Sequence, residues 1–149
     1  NYSKIKYLFL EESFFADGFK VNDVDIVQKI SKKTNINDVF VKLHPRNDTN
    51  RFKPLGIKTN VNFEIPWELI ILNQDISKIT LITISSSAAL TPFLIFNIPV
   101  KSISLLKILE KKPGNMNGEL GVFMQKIYDT YPNIFLSPTT EKEFLDLLE

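Results

Sequence analysis

Residues 79–89 read Ile79-Thr80-Leu81-Ile82-Thr83-Ile84-Ser85-Ser86-Ser87-Ala88-Ala89, an unbroken apolar and β-branched run that gives way to three serines. A strand with no polar face has nothing to show to water, so it belongs in a parallel sheet covered by helices on both sides. The small residues after it predict a helix from Ser85 to Phe96, with Pro92 as a kink. Working outward, Ile5 to Leu10 is a second buried strand. Asp23 to Lys33 carries Val24, Ile26, Val27 and Ile30 at helical spacing behind an Asn22/Asp23 cap. Val39 to Leu43 is a further strand, and Pro66 to Leu72 a helix with proline in its first turn. Pro99 to Ile103 and Ile134 to Leu136 read as strands, Glu119 to Tyr128 and Glu141 to Leu148 as helices. Strand and helix alternate along the chain, which predicts an α/β fold, a Rossmann-like doubly wound parallel sheet. Lys111 to Gly118, with Pro113, two glycines and two asparagines, reads as a mobile loop.

Composition narrows the function. The chain has 149 residues, 44% hydrophobic and 23% charged, enough for one domain, residues 1–149, with a real core. Its 18 basic residues against 17 acidic ones leave no large field to favour nucleic acid as a partner. The absence of cysteine removes disulfides and thiolate metal sites and fits a reducing, cytoplasmic compartment. A single histidine argues against a zinc site. No run of about 18 apolar residues is present. The charge-rich stretch Lys107 to Lys112 reads as a solvated face that allows peripheral membrane contact. The chain starts on Asn1 and enters a strand at once, so it reads as a piece of something longer.

In parallel α/β sheets ligands bind beyond the carboxyl ends of the strands. Three such ends carry polar residues. Asp17-Gly18 follows the first strand, and Lys42-Leu43-His44-Pro45-Arg46 ends the second, where the only imidazole sits in a stiff, electropositive setting suited to phosphate and to proton transfer. Ser85-Ser86-Ser87 follows the third, where a helix start and its free N–H groups can hold an anion, although simple capping uses the same residues. Glu64, just before a helix, is a carboxylate able to accept from a ribose diol, or an ordinary first-turn acid. Asp23-Val24-Asp25 has the Asp-x-Asp pattern of metal-dependent sugar transferases, but falls in a predicted first helical turn, where acids complement the dipole. Trp67 stands near Glu64 and has access to the same cleft. No Walker loop or Gly-x-Gly-x-x-Gly fingerprint occurs.

In this order, Asp17-Gly18, His44-Pro45, Glu64 and Ser85-Ser86 resemble the bacterial sialyltransferases, most closely glycosyltransferase family 52, the lipooligosaccharide sialyltransferases. The likeness covers roughly Phe9 to Thr91. It departs from the family pattern in that only the second acid of the pair before glycine, Asp17, is kept. The resemblance implies a metal-independent, inverting, two-domain GT-B transferase without a cofactor, of which this chain is the C-terminal, donor-binding half and lacks the N-terminal domain. It implies CMP-sialic acid as donor and a cell-surface glycan, lipooligosaccharide or capsule, as acceptor, with other nucleotide sugars or polysialic acid synthesis as alternatives. A non-catalytic α/β binding domain is the contrasting reading. Asp17 would be the general base, and His44 the acid or hydrogen-bond donor to the departing phosphate. Ser85 and Ser86 would hold that phosphate and Glu64 the ribose hydroxyls; Lys42 and Arg46 would add positive potential without touching the reacting atoms, and Pro45 and Ser87 would complete the nucleotide-binding set with Lys42.

Overall fold

A computed structural model describes residues 2–62, 64–109 and 119–148. The loop predicted at Lys111 to Gly118 lies outside the described residues. Among the described residues six strands form one sheet: β1 (Tyr7–Leu10), β2 (Val39–Lys42), β3 (Lys58–Thr59), β4 (Thr80–Thr83), β5 (Ser102–Ser104) and β6 (Phe135–Leu136). Their order is β3-β2-β1-β4-β5-β6 and every pairing is parallel. This is the doubly wound, Rossmann-like arrangement expected from the alternation of elements. The direction of winding reverses between β1 and β4, where the chain leaves one half of the sheet for the other.

Alternation along each strand feeds two cores. Tyr7 and Phe9 of β1, with Ile82 of β4, pack with Ile26, Val27 and Ile30 of α1 (Asp23–Lys33) and with Phe144 of α5 (Glu141–Asp146). Leu8 and Leu10, with Leu81, face Trp67, Ile70 and Ile71 of α2 (Trp67–Asn73) on the opposite side. A third cluster joins Leu90 to Met124 and Tyr128 of α4 (Glu119–Thr130) and to Phe135 of β6. All four residues of β1 are buried, as a strand covered on both faces requires.

Two expectations are corrected. The stretch Ser85 to Phe96 is not one helix. Ser86 is extended, Ser87–Ala89 is a 3-10 turn, and only Thr91–Leu94 forms α3, with Pro92 in its first turn. Proline is tolerated there because that N–H has no intrahelical partner to lose. No extended helix dipole is therefore aimed from Ser85. The second difference is β3, two residues long, which adds an edge strand between the Val39–Leu43 strand and the Pro66 helix, where the sequence pattern shows no element.

Helix α1 is held by its apolar stripe, and Ile30 within it has no exposed surface. We expect Ile30→Ala to cost about 2–5 kcal/mol through lost burial and cavity formation. A urea-unfolding midpoint unchanged from the parent would contradict this placement of the core.

Candidate functional site

The polar architecture begins where β1 ends. Past Leu10 the alternation turns Glu11 toward the α1 side, where its carboxylate is fully buried. It accepts from the His44 backbone N–H at 2.8 Å and from the Arg51 guanidinium at 2.9 Å. Arg51 also donates to both carboxylate oxygens of Asp23 at the start of α1, at 2.9 and 2.6 Å. Its guanidinium lies 4.8 Å from the Phe15 ring centroid and 5.5 Å from that of Phe52. Burial raises the Glu11 pKa above the ordinary carboxylate value and outweighs the opposing His44 and Arg51 hydrogen bonds.

Glu12 turns the other way along the sheet edge, to β4. Its oxygens accept from the Thr83 hydroxyl, the Ile84 and Ser85 amides and the Ser85 hydroxyl, at 2.7 to 3.1 Å. An internal carboxylate thus occupies the first two amides after β4, where the chain bends away from the strand. Desolvation raises the Glu12 pKa despite these bonds.

His44 follows β2 at the head of a turn closed by the Asn47 N–H donating to the His44 carbonyl at 3.0 Å. Its Nδ1 accepts from the Arg46 N–H at 3.2 Å, which puts the ring proton on Nε2. Burial lowers the His44 pKa, helped by Lys42 and Arg46 and opposed by Asp17. Lys42 is likewise lowered, chiefly by burial, with Glu68 opposing.

A cleft of about 340 Å³ opens at this edge on the α2 side, lined by Leu10, Glu11, Lys42, His44, Pro45, Glu64, Ile65, Pro66, Trp67, Ser86 and Ala88. It gathers six of the residues singled out in the sequence: Lys42, His44, Pro45, Glu64, Trp67 and Ser86. The Trp67 indole forms part of the wall and is fixed by its N–H donating to the Ala88 carbonyl at 2.8 Å. The Ser86 hydroxyl accepts from the Ala88 N–H at 3.2 Å, leaving its own proton to donate. A larger cavity, about 370 Å³, lies between α1 and α5. Its Lys29 and Glu141 satisfy each other at 2.9 Å, and its lining includes Leu105 after β5 but none of Asp17, Lys42, His44, Glu64 or the serines 85–87.

The remaining candidates stand apart from this lining. Ser85 is buried against Glu12, and Ser87 is exposed. Asp17 closes a turn in which its N–H donates to Ser13 O at 2.9 Å and Gly18 takes φ 77°, a left-handed conformation that strains other residues. The Asp17 carboxylate accepts from the Ser13 hydroxyl at 2.7 Å and from Arg46. Asp23 and Asp25 are divided between Arg51 and Lys29, so the Asp-x-Asp pattern does not converge on one point. Glu11, Glu12, Arg51 and Asn47 were not singled out in the sequence; two acids directly after a fully apolar strand were the available signal for the first pair.

Comparison with protein families matches residues 5–105 to the alpha-2,8-polysialyltransferase family. The matched span runs from before β1 to just past β5 and contains every residue lining the cleft. Neither the curated proteins nor the solved structures gave a match. The family matched is a sialyltransferase family, as the sequence resemblance implies, but its name specifies polysialyl transfer rather than lipooligosaccharide sialylation.

Two outcomes are expected from the site's electrostatics. The imidazole should titrate with a midpoint below its ordinary value of about 6.5, which NMR of the single histidine reads without ambiguity. Because the folded pKa is the lower one, the unfolded chain binds this proton more readily. Stability linked to His44 is therefore complete above the unfolded value and is lost as pH falls through it toward the folded value. His44→Gln should flatten that part of the urea midpoint's pH dependence; an unchanged slope would contradict the assignment. Arg51→Met leaves Glu11 and Asp23 buried without their cation and should cost about 3–5 kcal/mol, checked by equilibrium unfolding.

Proposed function

Because the chain belongs to the alpha-2,8-polysialyltransferase family, and with it to the sialyltransferases, we propose that it is the donor-binding half of a two-domain, inverting, metal-independent enzyme. The donor is CMP-sialic acid, and the acceptor is the sialylated end of a growing cell-surface glycan. The family name supports this acceptor, the alternative in the sequence reading, over the lipooligosaccharide expected first. The observation that carries the reading is the convergence of Lys42, His44, Glu64 and Ser86 on one cleft at the carboxyl edge of the sheet.

An inverting displacement needs a grip on the nucleotide, a stabiliser for the departing phosphate and a base for the acceptor hydroxyl. His44, with its proton on Nε2, donates to a phosphate oxygen as charge develops on it. An arriving phosphate also favours the imidazolium, so the lowered pKa rises on binding and the ring becomes competent as an acid. Ser86 adds its hydroxyl proton and Lys42 its positive charge. Pro45 stiffens the turn, while Ser85 supports the run through Glu12. Glu64, exposed at the rim, accepts from the ribose hydroxyls.

Asp17 is the base. Arg46 and Ser13 hold its carboxylate in this structure, so proton abstraction follows only when the anionic donor draws Arg46 away. An exposed ion pair of this kind is weak enough to exchange, typically about 0–1 kcal/mol.

Calorimetry on the chain with a chelator present should show saturable CMP binding, tighter than UMP. Ser86→Ala should weaken it about tenfold, the loss of one hydrogen bond of roughly 1.4 kcal/mol to a charged group. Binding abolished by the chelator, or untouched by both Ser86→Ala and His44→Ala, would overturn the site. For the acceptor, the full-length enzyme should extend α-2,8-linked sialic-acid oligomers in preference to asialo glycans.

A further inference from the structure

The loop carrying Asp17 and the turn carrying His44 leave different strands, yet their chemistry requires a fixed relation between them. Two buried side chains cross the gap in opposite directions. Glu11, from the end of β1, reaches the turn and accepts the His44 N–H at 2.8 Å. Asn47, from the His44 turn, reaches back. Its Nδ2 donates to the Glu12 carbonyl at 2.9 Å, and its Oδ1 accepts from the Ala16 N–H at 3.0 Å, one residue before Asp17. Asn47 is 2% exposed, and its own N–H closes the turn on the His44 carbonyl. Each of these groups satisfies backbone of the opposite segment, so neither segment moves alone. Arg51 completes the arrangement by balancing the buried Glu11 charge and tying it to Asp23 of α1.

We propose that Glu11 and Asn47 form a reciprocal clamp and act as positioning residues that hold the Asp17 loop and the His44 turn in register for transfer. The inference rests on the roles given above to Asp17 and His44. The amide geometry of Asn47 matters in itself, because its donor and acceptor are used on two different carbonyl and amide groups of one loop. An aspartate there keeps the acceptor for Ala16 and loses the donor to Glu12. The charged groups around the imidazole are Lys42 of β2, Arg46 of its own turn, Asp17 of the facing loop and Glu11, which holds the His44 N–H, with Glu64 across the cleft.

The test uses the tag-free chain, in which His44 is the only imidazole signal, and the variants Asn47→Ala and Asn47→Asp. Ile30→Val, remote from the clamp, serves as a destabilised control. The clamp predicts that Asn47→Ala moves the His44 midpoint up toward about 6.5 as the ring gains water, while Ile30→Val leaves it in place. If the alanine variant fails to fold, Asn47→Asp is read by kcat in the full-length enzyme, because its added carboxylate would itself raise the imidazole midpoint; the lost donor to Glu12 should lower kcat in the same direction. In the full-length enzyme, Asn47→Ala should lower kcat about 100-fold with the donor KM within about threefold, the signature of misplaced reacting groups. A His44 midpoint and kcat that match those of the Ile30→Val control would overturn the proposal and make Asn47 merely structural. Failure of the parent chain to bind CMP would overturn the reading of the cleft, while the His44 midpoint in the variants would still decide the clamp.

Discussion

β1 and β4 are apolar on both faces, so the segments that follow them must cross over the sheet and cover it from each side, and strands joined by such crossovers pair in parallel. From that constraint everything chemical in this molecule follows. Parallel strands deliver all of their carboxyl ends to one edge, and winding in two directions from the β1/β4 boundary opens a crevice there. Glu11, Glu12, His44 and Ser86 come from three strands well separated in sequence, yet the topology brings them to the same rim.

That rim is organised by carboxylates inside it. Glu11 and Glu12 are neighbours on the chain but belong to opposite halves of the sheet, one fastening the His44 turn of β2 and the other the serine run of β4. Burying a carboxylate is costly unless donors converge on it. Here Glu12 has hydroxyl and amide donors, and Glu11 has an amide and a guanidinium. The consequence is a site whose walls are fixed before any ligand arrives, with the exposed Asp17–Arg46 pair as the part open to exchange. Positioning of this kind lets binding energy act on the reacting groups rather than on ordering the protein.

Much of this was legible in the residues. The α1 boundaries, Asp23 and Lys33, follow directly from the spacing of Val24, Ile26, Val27 and Ile30, because amphipathic periodicity reports burial of one face. Lys42, His44, Glu64 and Ser86 were legible as strand-end or helix-start residues. The short elements were not. Lys58–Thr59 lies at the sheet edge with too few residues to show a period, and the run after Ser85, tied to Glu12 at its start and capped by Ser86, takes a 3-10 turn rather than a long helix, through contacts that no local pattern carries. For the same reason Asp23 read as a dipole-complementing acid, whereas its dominant partner is Arg51, a residue 28 positions away.

The central claim is that the edge cleft beside His44 is a nucleotide-phosphate site. Amide chemical-shift mapping of the chain with CMP tests it most directly. The account predicts perturbations concentrated at residues 42–46, 64–68 and 85–88, together with the His44 ring. Saturating shifts confined to the α1/α5 cavity around Lys20, Lys29 and Phe144, or none at all, would contradict it.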